Sequence, residues 1–177
     1  MSYYKQQMIK AMNLLAEDRK VIFIGQSTLH PDVTQIYETL LEISQTQRIE
    51  LPVIEDTQLG MSIGLALAGY LPVSIYPRMD FLVLAMNQLV NHLDKIEEMS
   101  AGHFKPKVIV RTAIGARKPL DPGPQHCQDH TQALKLLLVN TDVVRLEKAE
   151  EIIPAYQRAY YSEHSTILIE LSELYYA

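Results

Sequence analysis

Short runs of β-branched residues alternate with longer segments of helical period along nearly the whole chain. This alternation is typical of α/β domains, in which helices connect the strands of a mainly parallel sheet. At 177 residues the chain has room for one hydrophobic core of this kind and is short for two. We therefore expect an α/β fold built around a single core.

The predicted elements follow one another from end to end. An amphipathic helix comes first, because its apolar residues recur at helical spacing before the first strand. We expect the first strand to be central, helix 57–68 to be buried through its small residues, and Asp80 to cap helix 80–100. The predicted strands are residues 20–24, 49–54, 72–76, 107–111, 142–145 and 166–171, and the later helices are residues 31–47, 57–68, 80–100, 130–138 and 149–161.

Charge and hydropathy exclude two classes of partner. The chain has 16 Lys and Arg against 21 Asp and Glu, a net charge of -5, and no basic cluster that would follow a phosphate backbone. Its apolar stretches are interrupted by Ser, Gly and Pro and fall short of the ~18 residues that indicate a membrane span. The N-terminus lacks the pattern of a signal peptide, and the only cysteine, Cys127, fits a reducing compartment. We therefore expect a cytoplasmic protein that binds neither nucleic acid nor membrane.

The seven glycines exclude two kinds of phosphate-binding loop. None lies two residues from another, so the Gly-x-Gly fingerprint of dinucleotide-binding folds is absent. Gly64 and Gly69 have the spacing of a P-loop, but Tyr70 and Leu71 follow where Lys and Ser or Thr are required. The sequence therefore contains no recognisable loop of its own for a phosphate group.

Two places in the sequence could carry chemistry. Glu55 follows the second predicted strand, at the edge where ligands bind in open α/β sheets, although an acid there also complements a helix dipole. The long loop at residues 112–129 is broken by Gly and Pro, and residues 123–130 crowd amide, imidazole, thiol and carboxylate groups together. A metal site, a Cys/His nucleophile pair and a surface loop with Asp129 as a helix N-cap remain open for this segment.

A run of residues around Glu55 anchors a resemblance that extends along the chain. Its centre is Leu51-Pro52-Val53-Ile54-Glu55, followed by Gly60, Gly64 and residues 68–73. It continues through residues 21–25, Phe81, 87–92, 95–96, 99–102, 108–111, 115–116, 125–128 and 169–175. Together these segments resemble the pyrimidine-binding domain of thiamine-diphosphate enzymes, particularly that of beta subunits of 2-oxo acid dehydrogenase first components. The resemblance implies a three-layer α/β fold, with helices on both faces of a mainly parallel sheet, and one pyrimidine-binding domain over residues 1–177.

The resemblance also implies roles for individual side chains. Glu55 takes the place of the glutamate that hydrogen-bonds a nitrogen of the cofactor's aminopyrimidine ring. Phe81, by itself typical of a core residue, takes the place of the aromatic side chain that stacks on this ring. His126 matches an active-site histidine that orients the substrate carbonyl and moves protons. Gln26 lies near the cofactor, where the family's beta subunits commonly have an acid.

Three further departures from the family concern the substrate and the acceptor. Cys127 replaces the usual serine, and Leu84 stands where Gln is common. The loop at residues 117–122 is longer and more basic than usual. Activation of the cofactor is compatible with these changes, whereas the identity of the substrate does not follow from the resemblance.

A partner subunit is also implied. The family binds the diphosphate and its Mg²⁺ through Gly-Asp-Gly followed by an Asn pair on a separate domain, and no Gly-Asp-Gly occurs here. The usual C-terminal domain of beta subunits is also expected to be missing. We therefore expect thiamine diphosphate to lie between this chain and an alpha-type subunit that holds Mg²⁺, in an α2β2 assembly in which residues 80–100 pair two copies of this chain.

The predicted reaction is decarboxylation of a 2-oxo acid, followed by transfer of the acyl fragment. A split transketolase that acts on ketoses is the alternative with the same cofactor. A non-catalytic regulatory or scaffolding subunit is the alternative from another class, although the retained Glu55 argues against it.

Overall fold

Six parallel strands form the sheet. The computed structural model describes residues 1–31, 34–118 and 121–176. The strand order is β2-β1-β3-β4-β6-β5, and each neighbouring pair is parallel. The carboxyl ends of all strands therefore lie along one edge of the sheet. The strands are β1 (Val21–Gly25), β2 (Arg48–Glu50), β3 (Leu71–Tyr76), β4 (Ile109–Ile114), β5 (Asp142–Arg145) and β6 (Thr166–Leu171).

Helices cover both faces of the sheet and create two hydrophobic cores, one on each face, where a single core was expected. Side chains alternate between the faces along each strand, so Ile109 enters the first core while Val108 and Val110 enter the second. Helices α1 and α6 pack in the first core, and α2, α3 and α5 pack in the second. The helices are α1 (Tyr3–Ala16), α2 (Glu55–Leu67), α3 (Met79–Leu82), α4 (Ile96–Met99), α5 (Thr131–Leu137) and α6 (Ala149–Tyr161). The predicted three-layer α/β fold is confirmed.

Strand bounds are partly as predicted. The predicted bounds of β5, β6 and α6 match residue for residue. The second predicted strand, 49–54, is cut short to Arg48–Glu50, because Leu51 N–H makes the last bond to Gly25 O at 2.8 Å and Pro52 has no N–H to continue. The first strand is interior but not central, since β2 forms the edge beside it.

Two predicted long helices are wrong. Residues 34–47 contain 3-10 turns at Tyr37–Leu40 and Gln45–Gln47 rather than one helix, and Asp32 and Val33 of the predicted helix lie outside the described residues. Residues 80–100 are divided into α3, a 3-10 turn, a π-helical segment at Asn87–Leu93 and α4. Arg78, not Asp80, is the N-cap of α3.

The prediction that residues 57–68 form a helix buried against other backbones is also only partly correct. Helix α2 packs one face on β3 and on the turn Val83–Ala85. On its other face Met61 and Leu67 are 41% and 47% exposed, and no heavy atom lies within 4 Å of a Cβ placed on Gly64. Within the described ranges, no helix is long and apolar enough to cross a membrane.

Candidate active site

Four sequence-predicted residues lie at the carboxyl edge of the sheet. Gln26 directly follows β1, and Glu55 opens α2 shortly after β2. Phe81 lies on α3 after β3, and His126 lies in the loop after β4. Because these strands are neighbours in the order β2-β1-β3-β4, the fold gathers the four residues on one side of the molecule.

Glu55 is a buried carboxylate with little hydrogen bonding. It is 3% exposed, and among the described side chains only Gln26 donates to it, from Nε2 to Oε1 at a long 3.4 Å. A buried carboxylate is costly unless donors compensate for the lost water. Its place in the first turn of α2 supplies part of this compensation through the helix dipole. The carboxylate therefore retains capacity for a stronger donor.

The backbone behind Glu55 is fixed by Gln58, one helical turn later. Gln58 Nε2 donates to Ile75 O at 2.8 Å and to Ser74 Oγ at 3.1 Å. Both Ile75 O and the Gln58 side chain lie close to the backbone of Gly25, because a Cβ on Gly25 would lie 2.3 Å from Ile75 O and 2.7 Å from Gln58 Nε2. Gly25 also has φ +142°, a conformation that residues with a side chain rarely adopt. Only glycine fits this close approach, and it places Gln26 beside Glu55.

Glu50 organises the loop after β1. Its carboxylate accepts hydrogen bonds from the backbone N–H groups of Ser27, Thr28 and Leu29 at 2.9, 2.7 and 2.6 Å, and from Thr28 Oγ1 at 2.9 Å. Burial raises the pKa of Glu50, but these four donors outweigh it, so the net pKa is lowered. Ser27 has φ +62°, an uncommon conformation that the bonds to Glu50 help to hold. Glu50 therefore holds the segment that follows Gln26.

Replacing Glu50 by Gln should lower the melting temperature at neutral pH, because an amide cannot match the charge-assisted bonds to three N–H groups. The contribution is complete above the ordinary glutamate pKa of about 4.3 and is lost as the pH falls through the lowered pKa of the folded chain. The difference in Tm between the wild type and E50Q should therefore shrink on acidification. Scanning calorimetry from neutral to acidic pH measures it, with the exposed Glu98→Gln as control. A pH-independent difference would contradict the charge-based account.

Phe81 and His126 contact each other. Their ring centroids are 5.4 Å apart, and the rings meet edge to face at 88°. His126 Nδ1 is buried and has no hydrogen-bond partner in the part of the chain that the structure describes. The imidazole therefore has one nitrogen, Nδ1, without a partner among the described residues, next to the ring of Phe81.

Asp80 ties the His126 loop to α3. Its Oδ1 accepts hydrogen bonds from Gln128 N at 3.2 Å and from Gln128 Nε2 at 2.9 Å. Asp80 thus holds a loop residue two positions after His126, instead of capping the helix. Sequence reasoning missed Asp80, Gln58 and Glu50 as supporting residues, since their partners come from distant segments.

The three alternatives for residues 123–130 differ in their geometric support. Cys127 Sγ points to Ala116 O at 3.7 Å, so no contact pairs it with His126. Asp129 Oδ1 accepts from Thr131 N at 2.9 Å, which is a cap-like bond at the start of α5. Among residues 1–31, 34–118 and 121–176, no group of three or more His, Cys, Asp or Glu is arranged to hold a metal ion. Pro119, in the basic loop, lies outside the described residues.

Comparison with known proteins gives consistent matches. Residues 4–176 match the family model described as transketolase, pyrimidine binding domain. The chain is 27% identical over 123 residues to the pyruvate dehydrogenase E1 component subunit beta of Cyanidium caldarium, covering 68% of this chain and 36% of that protein. It is 28% identical over 145 residues to the 3-methyl-2-oxobutanoate dehydrogenase subunit beta of Mycobacterium tuberculosis (strain ATCC 25618 / H37Rv), and this match covers 76% of this chain and 42% of that protein. The chain thus spans less than half the length of these curated relatives.

Solved structures share the fold. A protein titled "Split gene transketolase, inactive beta4 tetramer" superposes with a TM-score of 0.69 at 16% identity, over 96% of this chain and 50% of that one. Transketolase from Campylobacter jejuni subsp. jejuni NCTC 11168 superposes with a TM-score of 0.75 at 14% identity, over 95% of this chain and 25% of that one. At such low identity these matches describe the fold alone.

Proposed function

The chain belongs to the family of transketolase pyrimidine-binding domains, and on this premise we propose that it forms half of a thiamine-diphosphate-dependent active site. The other half, which holds the diphosphate and Mg²⁺, comes from an alpha-type partner subunit. Two observations support a shared site: the sequence contains no Gly-Asp-Gly, and its relatives include beta subunits of two 2-oxo acid dehydrogenases. The proposal also includes an α2β2 assembly and a cytoplasmic location.

The observation that carries the proposal is the underpaired carboxylate of Glu55. It is buried, and among the described side chains only Gln26 donates to it, at a long 3.4 Å, so it can accept a short hydrogen bond from a ring nitrogen that carries a proton. A protonated nitrogen of an aminopyrimidine ring is such a donor. The residues present therefore fit the pyrimidine end of the cofactor. Phe81 supplies an aromatic face at the same edge, which fits stacking on a planar ring.

Bound thiamine diphosphate would supply an electron sink for the carbanion that forms at the substrate carbonyl carbon. Glu55 would hold a proton at the pyrimidine nitrogen, because its carboxylate is buried away from competing water. His126 would orient the substrate carbonyl and move a proton, since its Nδ1 has no other partner in the described residues. Gln26 would orient the Glu55 carboxylate without adding a charge.

The relatives favour a 2-oxo acid over a ketose as substrate, because both named enzymes are 2-oxo acid dehydrogenases. The proposed reaction is decarboxylation of a small 2-oxo acid and transfer of its acyl fragment to an acceptor. A contact between two copies of the chain over residues 80–100 remains a prediction within the proposed α2β2 assembly.

Calorimetric titration of thiamine diphosphate with Mg²⁺ tests the shared site. The purified chain, the product of a neighbouring gene that encodes a diphosphate-binding subunit, and their mixture are titrated separately. We expect tight binding only by the mixture, together with release of carbon dioxide from 2-oxo acids. Tight binding by the chain alone would contradict the shared site, and cleavage of ketoses without decarboxylation would favour the transketolase alternative.

A further inference from the structure

A half-buried cation, the guanidinium of Arg78, lies beside His126. Arg78 is the N-cap residue of α3, directly after β3 and Pro77. Its Nη1 donates one hydrogen bond, to His126 O at 3.4 Å. No carboxylate of the described residues forms an ion pair with its guanidinium. Most of the N–H donors of this side chain therefore have no partner among the described residues, at the edge of the sheet where Glu55 and Phe81 lie.

Gly115 leaves room for this guanidinium against the backbone. A Cβ at Gly115 would lie 2.2 Å from Arg78 Nη1 and 1.9 Å from His126 O, so both groups press against the backbone directly after β4. The absence of a side chain at Gly115 thus makes room for the guanidinium against the His126 backbone. A planar, permanently charged group held in this way is suited to bind a carboxylate or phosphate through two parallel hydrogen bonds.

We propose that Arg78 binds the anionic group of the substrate, and that this group is the carboxylate of a 2-oxo acid; this proposal rests on the proposed function. In a 2-oxo acid the carboxylate carbon is bonded directly to the carbonyl carbon, so a residue that binds the anion must lie close to the residue that orients the carbonyl. Arg78 meets this requirement, because it contacts the backbone of His126 itself. In a ketose phosphate the anion lies several carbons from the carbonyl, which fits this short spacing less well.

The charge of Arg78 affects binding and chemistry differently. A guanidinium attracts the carboxylate in the ground state, but decarboxylation removes that charge as carbon dioxide leaves. The contact therefore weakens towards the transition state of the chemical step, and its loss should appear in KM more than in kcat. This separation distinguishes a substrate-binding role from a structural one.

Kinetics of the reconstituted complex test the proposal. Arg78→Gln should raise the KM for pyruvate by about 10- to 100-fold, the usual range for a lost charge-assisted hydrogen bond, with kcat changed by less than about 3-fold. Arg78→Lys should fall between the wild type and R78Q, because it keeps the charge but not the planar fork. The exposed Arg158→Gln is the matched control and should leave KM unchanged. An unchanged KM in R78Q, or a fall in kcat alone, would overturn the proposal.

Nitrogen-15 NMR of the arginine side chains gives a readout without cofactor or turnover. Titration of the isolated full chain with pyruvate should shift the Nε–H signal of Arg78 saturably, whereas uncharged acetaldehyde should not shift it. If inorganic phosphate and fructose 6-phosphate shift it at lower concentration than pyruvate, the carboxylate assignment is overturned in favour of a phosphate. If no anion shifts it, the anion site itself is overturned.

The two tests separate this inference from the proposed function. Binding of pyruvate at Arg78 by the chain, combined with no thiamine diphosphate binding by the mixture, would contradict the proposed function and leave the anion site standing. An active complex in which R78Q behaves as the wild type would contradict the anion site and leave the proposed function standing.

Discussion

Glu55→Gln should reduce turnover by the reconstituted complex by about 100- to 10 000-fold, the range over which positioned acid–base groups contribute to catalysis. The amide has nearly the shape of the carboxylate but cannot hold a proton at the pyrimidine nitrogen. The melting temperature should rise or stay unchanged, because the variant removes a buried carboxylate to which only Gln26 donates among the described side chains, over a long 3.4 Å. Steady-state kinetics and the melting temperature of the same preparation measure both effects.

Glu150→Gln is the matched control for this experiment. Glu150 lies in the first turn of α6, is exposed, and complements a helix dipole as Glu55 does. Its loss should leave turnover unchanged and lower stability slightly. If E55Q turned over at the wild-type rate and lost stability as E150Q does, Glu55 would be a dipole-complementing acid and nothing more.

The contrast between the two glutamates shows what the sequence could predict about the site. The order of short strands and helical segments placed Gln26, Glu55, Phe81 and His126 after four different strands. Since parallel strands share a carboxyl edge, this placement already brought them to one side of the sheet. Glu55 differs from an ordinary acid in the first turn of a helix because it is buried. Its burial depends on Gln26 and the neighbouring strands, so the local sequence does not show it.

The supporting residues could not be predicted because their partners come from distant positions. Arg78 meets Gly115 and His126 through the folding of the loop after β4. Glu50 reaches the N–H groups after β1 only because β2 pairs beside that strand. Neither arrangement produces a local pattern of hydrophobicity or turn residues.

The two incorrect helices have the same kind of cause. In residues 31–47 the apolar spacing is helical, but Thr39 Oγ1 donates to Ile36 O at 2.6 Å and accepts from Arg111 Nη1 at 2.8 Å, within a 3-10 turn. In residues 80–100 the π-helical segment is followed by Asp94, its C-cap residue. This buried carboxylate accepts from the N–H groups of Val139 and Asn140. Long-range polar contacts override the local period in both segments.

Arg111→Met should produce the largest loss of stability in the molecule, about 3–5 kcal/mol, because it leaves a buried charge on Glu170 uncompensated. Both residues are 0% exposed. Arg111 Nε lies 2.5 Å from Glu170 Oε1, and Arg111 Nη2 lies 3.2 Å from Oε2. Tyr156 and Tyr175 also donate to this carboxylate, at 3.0 and 2.5 Å. The pair therefore joins β4 and β6 to α6 and to the turn Ser172–Tyr175.

The double variant R111M/E170Q tests whether the uncompensated charge is the cause. Burial lowers the pKa of Arg111 and the adjacent Glu170 raises it, with a net rise, so the guanidinium stays charged in the folded chain. Glutamine keeps one oxygen that can accept from one of the two tyrosines, and its amide nitrogen can donate to the hydroxyl oxygen of the other. Because it carries no charge, the double variant should recover at least about 2 kcal/mol relative to R111M in urea unfolding. If the two substitutions were additive, the loss in R111M would come from packing around the removed guanidinium, and the buried charge would not be its cause.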